Sequence, residues 1–329
     1  MIVLLGASGY VGRTFATELR RRGHSFIPLT RRAFDYTRFD FLFDYLRTMR
    51  PVFLVNAAGY AGNWSGRVTE QEREKMLAAN AFLPQMIARV CMMTKTPWWH
   101  ISSGSIYSGA KVQRLGAVVV EKHLGRPELL NLFESHPDSF HGFTEADEPN
   151  FSFRAMPCNF HSGTRALAEE AIRDVGQSYV WRLRLPFNER EEPGNWLSRV
   201  RREHQVYDCI NSFSHLDDCV KACLDLWEIR APFGIYNVTN PGAMTTRHAV
   251  EDLQRVLSSA PQVLPAEDQD PPNEPQSHCI LDSSKLLKAG VKLRPLADAF
   301  EDCLGRLHRT SRAAKSFDPV SRRPAPALV

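Results

Sequence analysis

The 329-residue chain lacks an apolar run long enough to cross a bilayer, a Cys-x-x-Cys pair and a concentrated basic face. The first absence argues against a membrane partner, the third against nucleic-acid binding. The net charge is only +4. Arg309, Arg312, Lys315, Arg322 and Arg323 against Asp318 account for that excess, so the body of the chain is near neutral. The cysteines number seven, an odd count. Cys219 and Cys223 stand four apart, but no His or Cys near them completes a metal set, so no metal is expected and the thiols are read as buried and reduced. Met1–Leu5 has no basic lead and Gly6 interrupts it, so no secretory leader is expected and the location is read as cytoplasmic. Apolar residues at 43% and charged residues at 24% exclude collagen-like, coiled-coil and wholly disordered chains.

What is present is an alternation. Strands are expected at Ile2–Leu5, Ser25–Leu29, Val52–Val55 and Trp98–Ile101, and helices at Tyr10–Arg22, Phe39–Arg47 and Thr69–Cys91. This predicts an α/β fold, a doubly wound parallel sheet with a small, mostly C-terminal second domain. Residues 1–185 form the expected nucleotide-binding domain, with 104–153 an excursion over the top of the sheet carrying a helix at Arg126–Ser135. Helix Ser162–Asp174 and strand Tyr179–Leu185 complete it. Residues 186–308 form the second domain, with helices at Asp217–Arg230, Thr246–Val256, Ser283–Lys288 and Leu296–Leu307 and a returning sheet strand at Gly234–Val238; 309–329 read as a disordered basic tail.

The first strand runs into Gly6-Ala7-Ser8-Gly9-Tyr10-Val11-Gly12 and then a helix. Gly6 permits a tight turn, Gly9 a close approach of backbone to a pyrophosphate, and Gly12 close packing of helix on sheet. The phosphates would sit on the free N–H groups of the helix start. The second strand ends in Thr30-Arg31-Arg32 with no acid to hold a ribose 2′-hydroxyl. Two guanidiniums suit a 2′-phosphate, which favours NADP(H), with NAD(H) the other option.

With these motifs the chain resembles the extended short-chain dehydrogenase/reductase superfamily, and within it the dTDP-4-dehydrorhamnose reductases and related nucleotide-sugar epimerase/reductases. Asn56-Ala57-Ala58-Gly59, Asp35-Tyr36-Thr37, Asn80 with Pro84, and Ser102-Ser103-Gly104-Ser105-Ile106-Tyr107 carry the likeness, as do Tyr236–Gly242 and Leu281–Leu286. The resemblance implies a Rossmann-like domain, a cofactor held by Gly6, Ser8, Gly9, Tyr10, Val11, Gly12, Arg31, Arg32, Asp35, Tyr36, Asn56, Ala57, Ala58 and Asn80, and a nucleotide sugar as substrate. It implies Ser103 as the residue that orients the substrate oxygen and a homodimer built on the two long helices.

One departure is serious. The family's Tyr-x-x-x-Lys frame falls on His161-x-x-x-Arg165. In one reading His161, with an unperturbed pKa near 6.5, donates the proton, and Arg165, on the same helix face, binds the ribose while its fixed charge depresses the protonated fraction of His161. In the other, hydride chemistry is lost and the pocket does non-redox acid–base work or only binds a ligand. Trp64 and Arg67 stand where relatives have an acidic element. Tyr60, Trp64, Ser105, Tyr107, Arg184 and His215 are the remaining candidates for substrate contacts. Tyr107 could supply the missing phenol, and either Arg182 or Arg184 could bind a diphosphate or form a salt bridge under the sheet.

Overall fold

The computed structural model describes residues 1–62, 68–114, 116–257, 261–268 and 274–316, with side chains as far as 310. Trp64, Arg67 and the end of the basic tail lie outside the described residues. Six strands form one wholly parallel sheet: β1 (Ile2–Leu5), β2 (Phe26–Leu29), β3 (Phe53–Asn56), β4 (Trp98–Ser103), β5 (Ser178–Leu183) and β6 (Gly234–Asn237), in spatial order β2-β1-β3-β4-β5-β6. Strands buried on both faces read as continuous apolar runs, and Ile2-Val3-Leu4-Leu5 is buried throughout. Because side chains alternate across a sheet, Trp98 and Trp99 go to opposite faces. Trp99 joins Phe15, Phe53 and Trp181 under α1 (Tyr10–Arg21). Trp98 joins Leu83, Ile87 and Ile172 on the other face.

That second face is covered by α2 (Phe39–Met49), the long helix α3 (Glu70–Thr94) and α4 (Phe160–Ile172). Thr69 starts α3 with a reciprocal capping box: its hydroxyl accepts from the Glu72 amide at 3.2 Å, and its own amide donates to the Glu72 carboxylate at 2.9 Å. Midway, Ala78–Phe82 widens into a π-helical turn. Pro84 follows, and having no N–H it cannot close a regular helical bond there. By length and composition α3 could cross a membrane, with a window of mean hydropathy 1.3, which the sequence reading did not expect; half of it is buried in the fold, as a helix covering the sheet.

The excursion holds a feature that the sequence did not disclose, a three-stranded antiparallel sheet of Ala110–Arg114, Ala117–Glu121 and Phe140–His141. The C-terminal region packs around its own core of Phe187, Trp196, Phe213, Leu253 and Phe300. Helices α5 (Leu216–Glu228) and α6 (Thr246–Val256) fall within two residues of expectation. Helix α7 (Leu296–Ser316) runs beyond the expected end at Leu307, into the segment read as disordered tail. No Gly or Pro stops it before Pro319, and Arg312, Ala313, Ala314 and Lys315 are good helix formers.

One buried ion pair ties these layers together. Arg182 on β5 grips Glu169 on α4 at 2.7 Å, with side chains 2% and 5% exposed. Ser102 on β4 donates to the same carboxylate at 2.5 Å, and Arg182 donates to the Tyr107 phenol at 2.9 Å. Removing one partner leaves a buried charge without compensation. Arg182→Ala is therefore expected to cost about 3–5 kcal/mol of stability, read by urea denaturation at pH 7. A loss below about 1 kcal/mol would mean that the pair is not what fixes α4 on the sheet.

Candidate functional site

The candidate site lies at the carboxyl ends of β1, β3 and β4, where the strand order reverses on either side of β1. Gly6 adopts φ +73°, and a Cβ there would stand 2.6 Å from the Ala58 amide nitrogen. Only glycine permits both the left-handed turn and this approach to the β3 loop. Gly9 begins α1 with no side-chain cap, so the first-turn amides face the crevice without an internal acceptor from the cap residue. A Cβ on Gly12 would run into the Gly6 carbonyl. The cradle fits a dinucleotide pyrophosphate on these geometric grounds. Val11 packs into the core behind the loop, and Ser8 is exposed. Arg31 and Arg32 stand exposed beyond β2.

Several expected cofactor contacts take other partners. The Tyr10 phenol donates to Asn188 at 3.0 Å. Tyr36 is buried beneath the loop, hydrogen-bonded to the Gly6 backbone, and burial raises its pKa. Asp35 accepts from the Thr37 amide at 3.2 Å and from its hydroxyl, so the D-x-T element is a local turn on the surface. Asn56 is buried; its carbonyl accepts the Ala58 amide at 3.1 Å and its amide donates to His100 at 3.2 Å, which shapes the segment Ala57–Gly59. Asn80 sits in the π turn. It accepts the Tyr60 amide and donates to the Tyr60 carbonyl, both at 2.8 Å. It thus sets the path of that loop from behind.

At the chemical end, Asn159 caps α4 by accepting the Ser162 amide at 2.8 Å, which puts His161 in the first helical turn. Nδ1 of His161 is 3.5 Å from the hydroxyl of Ser105. Ser103 instead accepts the Ser105 amide at 3.2 Å and holds the short turn after β4. The serine brought to His161 is thus Ser105. Arg165 donates to the Ile101 carbonyl at 3.0 Å and lies against Gly59, where a Cβ would be 2.7 Å from its guanidinium. Arg184 reaches Asn211 at 2.6 Å and the Ser277 carbonyl at 2.5 Å. Of the two alternating arginines, Arg182 is the one in the salt bridge.

Three guanidiniums, of Arg165, Arg184 and Arg199, act on His161 in a recess. Burial, then the charges of Arg165, Arg184 and Arg199, lower the His161 pKa to about 3. The positive end of α4 acts in the same sense. The expected effect of Arg165 on His161 is in the direction found, but burial, which the sequence does not show, is the larger cause and takes the ring further, so His161 is neutral at pH 7. Burial lowers Arg165 to about 10 and Arg199 to about 10. Arg199 and His278, which sequence reasoning missed, come from the short helix Trp196–Val200 and from the segment before Cys279, with no motif around either.

Two candidates leave the cleft. Tyr107 is fully buried, stacks on Phe143 at 4.7 Å and donates to the Asp147 carbonyl at 2.6 Å. It cannot supply the phenol absent at 161, because Arg182 draws it under the sheet. His215 is 1% exposed and packs on Phe187 at 5.3 Å, since it precedes α5 within the C-terminal core.

His100, His161 and His278 all fall from an ordinary 6.5 to about 3, each chiefly through burial. The unfolded chain then binds more protons than the folded one between those values, so stability rises with pH across that window. Urea midpoints are expected to be level above pH 6.5 and to fall progressively below it, with a shallower fall in His161→Gln and His278→Gln. An unchanged midpoint from pH 7 to pH 5 would contradict the buried neutral imidazoles.

Comparisons with known proteins bear on the fold and the family. A trifunctional UDP-glucose 4,6-dehydratase/UDP-4-keto-6-deoxy-D-glucose 3,5-epimerase/UDP-4-keto-L-rhamnose-reductase of Arabidopsis thaliana is 25% identical over 208 residues, 63% of this chain but only 27% of that relative's length. Among solved structures, a UDP-rhamnose synthase from Acanthamoeba polyphaga mimivirus superposes with TM-score 0.75 at 15% identity, over 92% of this chain and 98% of the other. A dTDP-4-dehydrorhamnose reductase from Bacillus anthracis in complex with NADP gives TM-score 0.68 at 17% identity, over 94% and 98%. These likenesses fix the fold. The RmlD substrate binding domain matches residues 1–309, nearly the whole chain, and the protein belongs to that family.

Proposed function

We propose that the protein is an NADP(H)-dependent reductase acting on a nucleotide-linked 4-keto-6-deoxysugar. The observation that carries this reading is the joining of a glycine cradle at the switch point to a recessed group of cations at the start of α4. The cradle and the α1 N-terminus would hold the pyrophosphate, Arg31 and Arg32 the 2′-phosphate, and the loop Asn56–Tyr60 the rest of the dinucleotide. Reduced nicotinamide, when bound, supplies a hydride to a ketone carbon. Arg184 and Arg199 suit the diphosphate of the sugar nucleotide. Ser105, with Ser103 beside it, would orient the sugar oxygen, and Arg165 would fix the ribose beside Gly59.

His161 must then act from the neutral state or gain its proton with the substrate. A diphosphate placed on Arg184 and Arg199 offsets the charges that hold the imidazole neutral, and so raises its pKa toward the useful range. The neutral resting imidazole also favours a second reading, in which the chain binds both ligands and performs no net hydride transfer. Family membership, NADP in one structural neighbour and 4-keto-sugar reductase activity in the named relatives support the first reading. Exposed apolar residues on the two long helices, Phe82, Met92 and Met93 on α3 and Leu167 on α4, support a homodimer through that face. We read this dimer as a soluble cytoplasmic enzyme.

The test follows NADPH absorbance with dTDP- or UDP-linked 4-keto-6-deoxysugar. Turnover is expected, with His161→Ala slower by about 10²–10⁴-fold. Full turnover by His161→Ala would remove His161 from the chemistry. A silent natural chain that gains activity in the double variant His161→Tyr with Arg165→Lys would establish the second reading.

A further inference from the structure

We propose that Glu189, His215 and Cys303 form a zinc site that clips together the segment after β5, the start of α5 and α7. The expectation of no metal rested on spacing along the chain, and these three donors come from distant segments and form no spacing motif. In the fold, one ligand atom from each lies within 4.8 Å of the others. His215 is 1% exposed and Cys303 is fully buried. Nδ1 of His215 faces the Asp218 carboxylate, while its Nε2 and the buried Oε2 of Glu189 make no hydrogen bond. Buried polar atoms are ordinarily paired, so this convergence of unpaired donors calls for an occupant.

The donor chemistry selects the occupant. Magnesium and calcium take oxygen ligands, whereas thiolate, imidazole and carboxylate together suit zinc. Tetrahedral zinc with ligands at about 2.0–2.3 Å holds its donors about 3.3–3.8 Å apart, within reach of small side-chain rotations here. The surroundings fit as well. Asp218 lies 3.0 Å behind Nδ1 of His215, and Arg294 holds that carboxylate at 2.5 Å. A carboxylate on one ring nitrogen orients the other toward a metal. On binding, the Cys303 thiol releases its proton to solvent. Thiolate and carboxylate then balance the two charges of the metal, which removes the main cost of burying it. Water completes the tetrahedron.

The full chain, stripped with a chelator, is titrated with Co²⁺ alone and then with Zn²⁺. One equivalent of Co²⁺ is expected to give a near-ultraviolet thiolate-to-cobalt band and intense visible bands, both removed by Zn²⁺. Cys303→Ser abolishes the near-ultraviolet band, whereas Cys223→Ser, at another buried thiol, keeps it. Asp218→Asn retains the band and weakens affinity by about 10–100-fold. Should Cys303→Ser not fold, Glu189→Gln serves in its place, with bound zinc falling at least about ten-fold. A stripped chain that takes up neither metal, or variants that bind it as the natural chain does, would overturn the site.

Discussion

The buried pair of Arg182 and Glu169 is the constraint on which the cleft depends. It joins β5 to α4, and through Ser102 and Tyr107 it also holds β4 and the excursion. A buried ion pair adds little net stability when compared with apolar packing, because both charges must leave water. What this one supplies is position. Glu169 lies four residues from Arg165 and eight from His161, so fixing its carboxylate sets the rotation of the helix that carries both. Asn80 does the corresponding task from α3, where the π turn directs its amide at the Tyr60 backbone.

The electrostatics of the cleft follow from this arrangement. With α4 fixed, His161 and Arg165 meet Arg184 and Arg199 in a recess that water enters only in part. The family's Tyr and Lys would place one cation beside a neutral phenol. Here an imidazole stands among guanidiniums, each of which opposes its protonation. Such a site is poorly suited to an isolated ketone and well suited to a substrate that brings its own negative charge.

Much of the fold was legible in the sequence, and the reasons are local. The β1–α1 junction was placed because its three glycines answer three separate steric demands. The inner strands β1, β3, β4 and β5 were found because parallel strands buried on both faces are rich in apolar residues; β2 and β6, at the edges, are only partly buried and were found as short apolar segments between helices. The antiparallel sheet of the excursion was not legible: Ala117–Glu121 is mostly exposed and Phe140–His141 has only two residues, so neither shows a period. The π turn needs hydrogen-bond geometry that Pro84 only hints at. The site was half legible. Motif spacing located Gly6, Asn56, Ser103 and His161, but direction was beyond it. Tyr107 and Tyr10 turn away from the cleft because partners distant in sequence, Arg182 and Asn188, claim their hydroxyls. The low pKa of His161 arises first from burial, then from Arg165 four residues on, and then from Arg184 and Arg199; the burial and the last two are brought about only by the folded chain.

The most direct test of this account is the proton affinity of His161, followed by NMR of ¹⁵N-labelled imidazole in the free protein and with a saturating nucleotide diphosphate-sugar. Comparison with His161→Gln assigns the signal. The account predicts a neutral ring down to at least pH 5 in the free chain, and a titration moved upward when the diphosphate is bound. A free-state pKa near 6.5 that the ligand leaves unchanged would contradict it.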